Sequence, residues 1–106
     1  MEVPFDGFET IVERISASSD LLGRYVAKYF HDVVLHAREL VDVVRPGGRV
    51  HYVVGNSKFY DELVPTEAIY AAVFDAAGLA DVTVRAIRKR TSKKELYEFL
   101  VSARRP

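Results

Sequence analysis

A short polar run, Gly55-Asn56-Ser57-Lys58, follows a β-branched segment and groups side chains that suit ligand binding. An Asn amide and a Ser hydroxyl both donate and accept hydrogen bonds, and α/β proteins bind ligands at the carboxyl ends of strands. The same residue types also make ordinary turns. The run therefore predicts either a substrate pocket formed by Gly55, Asn56, Ser57 and Lys58 or a plain turn.

A cluster of basic residues near the C-terminus is the second candidate site. Residues 82–106 carry eight basic and two acidic side chains, whereas residues 1–20 carry five acidic and one basic. Each basic side chain that neutralises a phosphate adds salt-dependent affinity for nucleic acid, although charged hairpins also serve solubility. The nucleic-acid-binding candidates are Arg88, Lys89, Arg90, Lys93 and Lys94.

Metal and thiol chemistry are not indicated. The chain has no cysteine, which excludes a disulfide, a thiolate metal site and a cysteine nucleophile. His31 and His36 lie five residues apart on a predicted helix and do not share a face, and His51 lies in a predicted strand. We predict no metal site, and we interpret Tyr25 and Tyr29 as core residues of the same helix.

Length and composition are those of one ordinary globular domain. The 106 residues are 49% hydrophobic and 28% charged, and 15 basic residues balance 15 acidic ones, so no overall charge indicates nucleic acid. No apolar run approaches the roughly 20 residues that span a bilayer, and the acidic N-terminus does not resemble a signal peptide. These features predict a cytoplasmic protein that does not enter a membrane.

Helical periodicity predicts three helices. Apolar residues recur at helical spacing over 8–15 and again, in a wide stripe, over about 20–44. Ser18 or Ser19 caps the start of the second helix. Thr66 is a good N-cap for the third.

Three strands are predicted, with a loop over 55–65. Residues 50–54 are apolar on both faces, as in a strand inside a parallel sheet. Residues 81–90 alternate, and 96–103 are apolar at nearly every position and should be central. The last two strands form an antiparallel hairpin. If the last strand lies between the other two, the strand over 50–54 keeps a free edge. Because this strand is so apolar, we expect another strand to pair with that edge.

Several motifs occur in a defined order: Tyr29-Phe30-His31-Asp32, Val44-Arg45-Pro46-Gly47-Gly48-Arg49-Val50, Val53-Val54-Gly55-Asn56-Ser57, Ala77-Gly78-Leu79 and the basic segment 88–94. In this order they resemble the C-terminal half of class I S-adenosylmethionine-dependent methyltransferases. The resemblance is to the group that methylates exocyclic amino groups of DNA bases, which has RNA relatives, and it covers about residues 20–104.

The resemblance implies an α/β fold that is half of a Rossmann-like methyltransferase sheet. We expect three strands, the last two an antiparallel hairpin, with two or three helices. Residues 1–106 would form a single partial domain, with an N-terminal helix and connection over 1–18 and the methyltransferase half over 19–104.

Two motifs that the family uses for cofactor and substrate are absent from this sequence. There is no Gly-x-Gly loop and no Pro-Pro pair. We therefore assign no catalytic residue and expect no cofactor to be bound by this chain alone, with S-adenosylmethionine implied for the complete enzyme. The chain would be the substrate-side portion of a nucleic-acid methyltransferase, inactive unless an N-terminal half completes it.

An alternative is a non-enzymatic interaction module. It would dimerise, or bind a partner protein, through the free edge of strand 50–54. The expected partners are thus a second copy or an N-terminal methyltransferase half, together with nucleic acid at the basic segment. The sequence fits both a short protein and a segment of a longer one.

Overall fold

A computed structural model describes residues 2–90 and 95–106 of the chain. Within these residues the fold is mixed α/β, with three helices, a three-stranded sheet and a two-stranded sheet. The elements are α1 (Phe8–Ser18), α2 (Asp20–Val43), β1 (Arg49–Gly55), β2 (Ser57–Phe59), β3 (Glu62–Val64), α3 (Thr66–Ala76), β4 (Ala80–Lys89) and β5 (Tyr97–Arg104).

The three predicted helices are confirmed, and one of the two predicted caps is correct. The Ser19 hydroxyl accepts a hydrogen bond from the Leu22 N–H at 3.2 Å at the start of α2. Thr66 instead lies inside the first turn of α3, and Pro65 occupies the N-cap without a side-chain hydrogen bond. Proline is tolerated at that boundary because its missing N–H interrupts no hydrogen bond within the helix.

The larger sheet has the order β1-β5-β4, and β5 is antiparallel to both neighbours. The prediction that the last strand is central is confirmed, as is the antiparallel β4–β5 pair. β1 and β4 therefore run in the same direction, and α3 connects them.

The prediction that β1 is buried on both faces is wrong. Val50, Tyr52 and Val54 are half-buried, whereas the alternate residues His51 and Val53 are exposed. One face of β1 is covered because α3 packs on it. Within the described residues β1 pairs with β5 alone, so it is an edge strand and not an interior one. All strand pairs described are antiparallel.

The predicted burial of one face of β4 holds only at the start of the strand. Val82 is half-buried, but Val84 is 41% exposed and Ala86 is exposed. An 11-residue helix is about 16 Å long, whereas a ten-residue strand extends about 33 Å. The β4–β5 hairpin therefore extends beyond the helix that covers it.

The small β2–β3 hairpin lies where we predicted a loop. Its two-residue turn consists of Tyr60 and Asp61, both with positive φ, at 50° and 64°. Such mirror-image turns normally carry Asn-Gly or Asp-Gly, so the Tyr-Asp pair gives no recognisable turn signal.

The core lies between α3 and its two neighbours, the sheet on one side and α2 on the other. An aromatic cluster joins the three layers: Tyr70 packs against Phe30, Tyr52 and Phe74 with ring centroids 5.9 to 6.5 Å apart. The Tyr70 hydroxyl is 2.7 Å from that of Tyr29 on α2. This hydrogen bond fixes the second helix against the third.

Alkaline pH should weaken the fold through Tyr70. Burial first, and the hydrogen bond with Tyr29 second, raise the pKa of Tyr70 above the value of about 10 that tyrosine has in an unfolded chain. Because the native state holds this proton more tightly, the stabilisation is complete below about pH 10 and falls as the pH rises above it. Urea unfolding should therefore show a steeper loss of stability above about pH 10 in the wild type than in Tyr70→Phe.

The matched control is Tyr60→Phe, since Tyr60 is 63% exposed. It should keep the steep wild-type dependence. Equal slopes for the wild type and Tyr70→Phe would contradict the assignment.

Candidate functional site at the carboxyl end of the first strand

The two predicted groups of site residues meet at one end of the larger sheet. Gly55, the last residue of β1, pairs with Glu98, and Glu98 also pairs with Arg88 on β4. The polar run that begins at Gly55 and the basic hairpin therefore lie side by side. Neither the sequence spacing nor the periodicity placed them together.

Asn56 joins the two groups through a buried side chain. It is 4% exposed, its Oδ1 accepts from the Tyr97 N–H at 2.8 Å, and its Nδ2 donates to the Glu95 carbonyl at 2.6 Å. Its backbone N–H donates to the Tyr97 carbonyl at 3.4 Å. In this structure Asn56 anchors the hairpin to β1, and its predicted contact with a substrate stays a prediction.

Arg90 makes a second link between the groups. Its Nη1 donates to the Asn56 carbonyl at 2.7 Å. A Cβ built on Gly55 would lie 2.7 Å from the same nitrogen, so the absence of a side chain at Gly55 lets the guanidinium lie against the strand. The hydrogen bond to the Asn56 carbonyl thus holds the Arg90 side chain in place.

The other predicted basic residues differ in their surroundings. Arg88 forms an ion pair with Glu98, and Lys58 forms one with Glu95 at 3.2 Å. Lys89 is exposed. Lys93 and Lys94, also predicted to bind nucleic acid, lie outside the described residues.

A pocket of about 270 Å³ opens beside this end of β1. It lies between α2, the β2–β3 hairpin and the start of α3. Its lining is mostly aromatic and aliphatic, with the hydroxyls of Ser57 and Thr66 as polar groups. The lining residues are Tyr25, Val26, Tyr29, Phe30, Gly55, Ser57, Phe59, Val64 and Thr66. Such a lining suits a small planar or apolar group with one or two polar atoms.

Tyr25 and Tyr29, which we predicted to be core residues, line this pocket and are partly in solvent. Their exposed fractions are 62% and 40%. The correction has a physical reason: Val26 and Phe30 already fill the core-facing positions of α2, and the tyrosines lie at its margin. The exposure of the two tyrosines could have been predicted from their neighbours Arg24 and Lys28, because these charged residues mark the solvent side of the helix.

A carboxyl group with a perturbed pKa follows the pocket residue Thr66 in the chain. Burial raises the pKa of Glu67, and a hydrogen bond from its own backbone opposes the shift. Its Oε1 is buried without a hydrogen-bond partner among the described residues. Glu67 does not line the pocket, and it is not among the residues that we place in the site.

A larger, open hollow of about 890 Å³ lies along the N-terminal segment and α1. Its lining includes Glu2, Asp6, Glu9 and Glu13, and none of the predicted site residues. We therefore place the candidate site at the smaller pocket, which the predicted residues Gly55 and Ser57 line.

Among the described residues, no set of three or more His, Asp or Glu side chains is grouped as metal ligands would be. None of the described helices is both long enough and apolar enough to cross a membrane.

Loss of the Asn56 side chain should destabilise the protein. Asn56→Ala leaves the Tyr97 N–H without its acceptor, and burying an unpaired donor costs about 1 to 3 kcal/mol. Urea unfolding should show that loss. Lys58→Ala is the control because it removes only an exposed ion pair with Glu95, worth less than about 1 kcal/mol. Equal effects of the two substitutions would show that Asn56 does not anchor the hairpin.

No family model, curated protein or solved structure matches this chain. What can be concluded about its function therefore comes from the pocket, the hairpin and the edges of the sheet.

Proposed function

We propose that this chain is the substrate-side half of a protein resembling the nucleic-acid methyltransferases, and that another polypeptide completes its sheet along β1. The observation that carries the proposal is the shared position of three features. The aromatic pocket and the basic hairpin lie at the carboxyl end of β1, and the outer edge of β1 is open within the described residues. A substrate-side half needs all three together.

The two edge strands of the sheet differ in a way that supports the proposal. β4 has register shifts between Ala80 and Thr83 and between Ala86 and Arg88, and its outer part is rich in charged residues. Bulges and charges are the usual protection of an edge against pairing. β1 keeps one continuous register over all seven residues and exposes Val53 at 63%. β1 is therefore the edge suited to accept another strand.

Backbone groups of β1 point out of that edge. The Asn56 N–H donates to the Tyr97 carbonyl, and the Arg105 N–H donates to the Gly48 carbonyl, so the even-numbered positions of β1 face β5. Because antiparallel pairing alternates, the N–H and C=O groups of His51 and Val53 face outward. No described backbone group bonds to them. A partner strand would satisfy these groups.

The methyl donor that the resemblance implies does not fit this chain alone. An adenosyl cofactor needs a carboxylate for its ribose hydroxyls and close backbone approach from a Gly-rich loop. The pocket is lined by no carboxylate, and its volume of about 270 Å³ is below the usual range for small-molecule sites. The cofactor site would therefore belong to the completing polypeptide.

Calorimetric titration with S-adenosylmethionine tests this division of roles. The isolated chain should give no saturable heat up to about 1 mM cofactor, a ceiling that excludes binding stronger than about 4 kcal/mol. Micromolar affinity would contradict the proposal.

The complementary test uses the reading frame next to this gene. The proposal expects it to encode a Gly-rich loop and a Pro-Pro-aromatic motif. Its product, co-expressed with this chain, should copurify with it and transfer methyl groups to nucleic acid. If a neighbouring product carries both motifs but neither copurifies with this chain nor needs it for methyl transfer, the proposal is contradicted.

The exposed Val53 also favours a second candidate, a module that dimerises through β1. Two copies paired edge to edge would satisfy the same outward backbone groups and form one continuous six-stranded sheet, with the arginines of both copies on the same side.

Sedimentation velocity at micromolar concentration separates the two candidates. Dimerisation through β1 requires a wild-type dimer that Val53→Lys converts to a monomer, since a lysine on an edge strand opposes pairing. Val84→Lys, at an exposed valine of β4, is the control and should leave the dimer intact. A monomeric wild type removes the second candidate and is the result that the first one predicts.

A further inference from the structure

The face of the larger sheet opposite α3, called here the outer face, is uncovered by the described helices. Register places the side chains of Arg49, His51 and Val53 of β1 on this face, together with those of Leu100, Ser102 and Arg104 of β5. The exposed fractions of the side chains agree with this assignment of faces. Val53 is 63% exposed, while Val101 and Ala103, on the α3 side, are fully buried. An antiparallel sheet commonly leaves one face to solvent, and such a face is accessible to another element.

The centre of the outer face is aliphatic. Val53 pairs with Leu100 in the register, and Leu100 is only half-buried. In the next row, the His51 Nδ1 and the Ser102 Oγ are 2.8 Å apart and satisfy each other. The Val53–Leu100 pair is thus the apolar part that a partner would cover.

Three arginines lie around this apolar pair. Arg49 lies four residues before Val53 on β1, beyond the His51–Ser102 row, and the Arg90 guanidinium lies against Gly55, two residues after Val53. Arg85 pairs with Leu100 from β4. None of these three forms an ion pair within the described residues.

The remaining charges of the outer face largely cancel. Arg88 pairs with Glu98, and Arg104 pairs with Asp81 at 2.7 Å. Arg104 first, with Arg49 as a weaker contribution, holds the pKa of Asp81 below its usual range. Five arginines therefore face two carboxylates, and the positive excess surrounds Val53 and Leu100.

We propose that the outer face binds an amphipathic helix whose apolar stripe covers Val53 and Leu100 and whose Asp or Glu side chains pair with Arg49, Arg85 and Arg90. This inference rests on the proposed function, because the helix would belong to the polypeptide that pairs with β1. A nucleic acid would use the arginines but would leave the aliphatic pair uncovered. The same face of a second copy would bring arginine against arginine, which like-charge repulsion opposes.

Fluorescence anisotropy with two labelled 18-residue helical peptides tests the proposal. Both carry the same Leu/Ile stripe, one flanked by Glu and the other by Lys, and an 18-nucleotide single-stranded DNA is the third probe. The chain should bind the Glu peptide at least about tenfold more tightly than the Lys peptide, as expected for three charge pairs. Arg49→Glu with Arg85→Glu should reverse that preference, and Val53→Lys should weaken binding of the Glu peptide.

Arg24→Glu is the control, because Arg24 is an exposed arginine of α2, far in the chain from the outer face. It should leave both affinities unchanged, and circular dichroism checks that each variant is folded. Equal affinity for the two peptides would overturn the proposal. So would DNA binding stronger than that of the Glu peptide and abolished by Arg49→Glu with Arg85→Glu. Neither result depends on methyl transfer, so a failure here is distinct from a failure of the proposed function.

Discussion

The outer edge of β1, which is unpaired within the described residues, is the structural feature on which both proposed interactions depend. In an antiparallel pair each strand directs only alternate backbone groups to its neighbour, and β5 satisfies the even-numbered positions of β1. Nothing in residues 2–90 and 95–106 pairs with the backbone groups of His51 and Val53, which leaves them to water or to another chain. Water satisfies them without difficulty in an exposed strand. Exposure of the adjoining aliphatic surface of Val53 and Leu100 to water is unfavourable, and this combination is the reason that we propose β1 as an interface.

The pocket and the hairpin act as one unit because Asn56 and Arg90 join them. Both links use the Asn56 residue, through its side-chain amide and its carbonyl oxygen. A buried amide with both ends bonded to backbone holds its loop more rigidly than a surface turn would. Asn56 and Arg90 therefore hold the described part of the hairpin at a fixed position relative to the aromatic walls of the pocket.

Regular patterns in the sequence predicted the framework of the fold, and irregular positions escaped prediction. The long apolar stripe of α2 and the apolar run of β5 each have one structural solution, so the helix and the central strand followed from them. The β2–β3 hairpin depends on positive φ at Tyr60 and Asp61, which those residue types do not signal. The exposure of Tyr25 and Tyr29 depends on how much of α2 is covered by the β2–β3 hairpin and α3. The one-sided burial of β1 likewise depends on which face α3 covers, and local periodicity carries no information about that.

Amide hydrogen exchange along β1 tests the open edge most directly. At a concentration where the chain sediments as a monomer, the account predicts slow exchange at Tyr52 and Val54, whose N–H groups face β5, and fast exchange at His51 and Val53. Equally slow exchange at all four amides would contradict it, because the outer edge would then already be paired within a single copy.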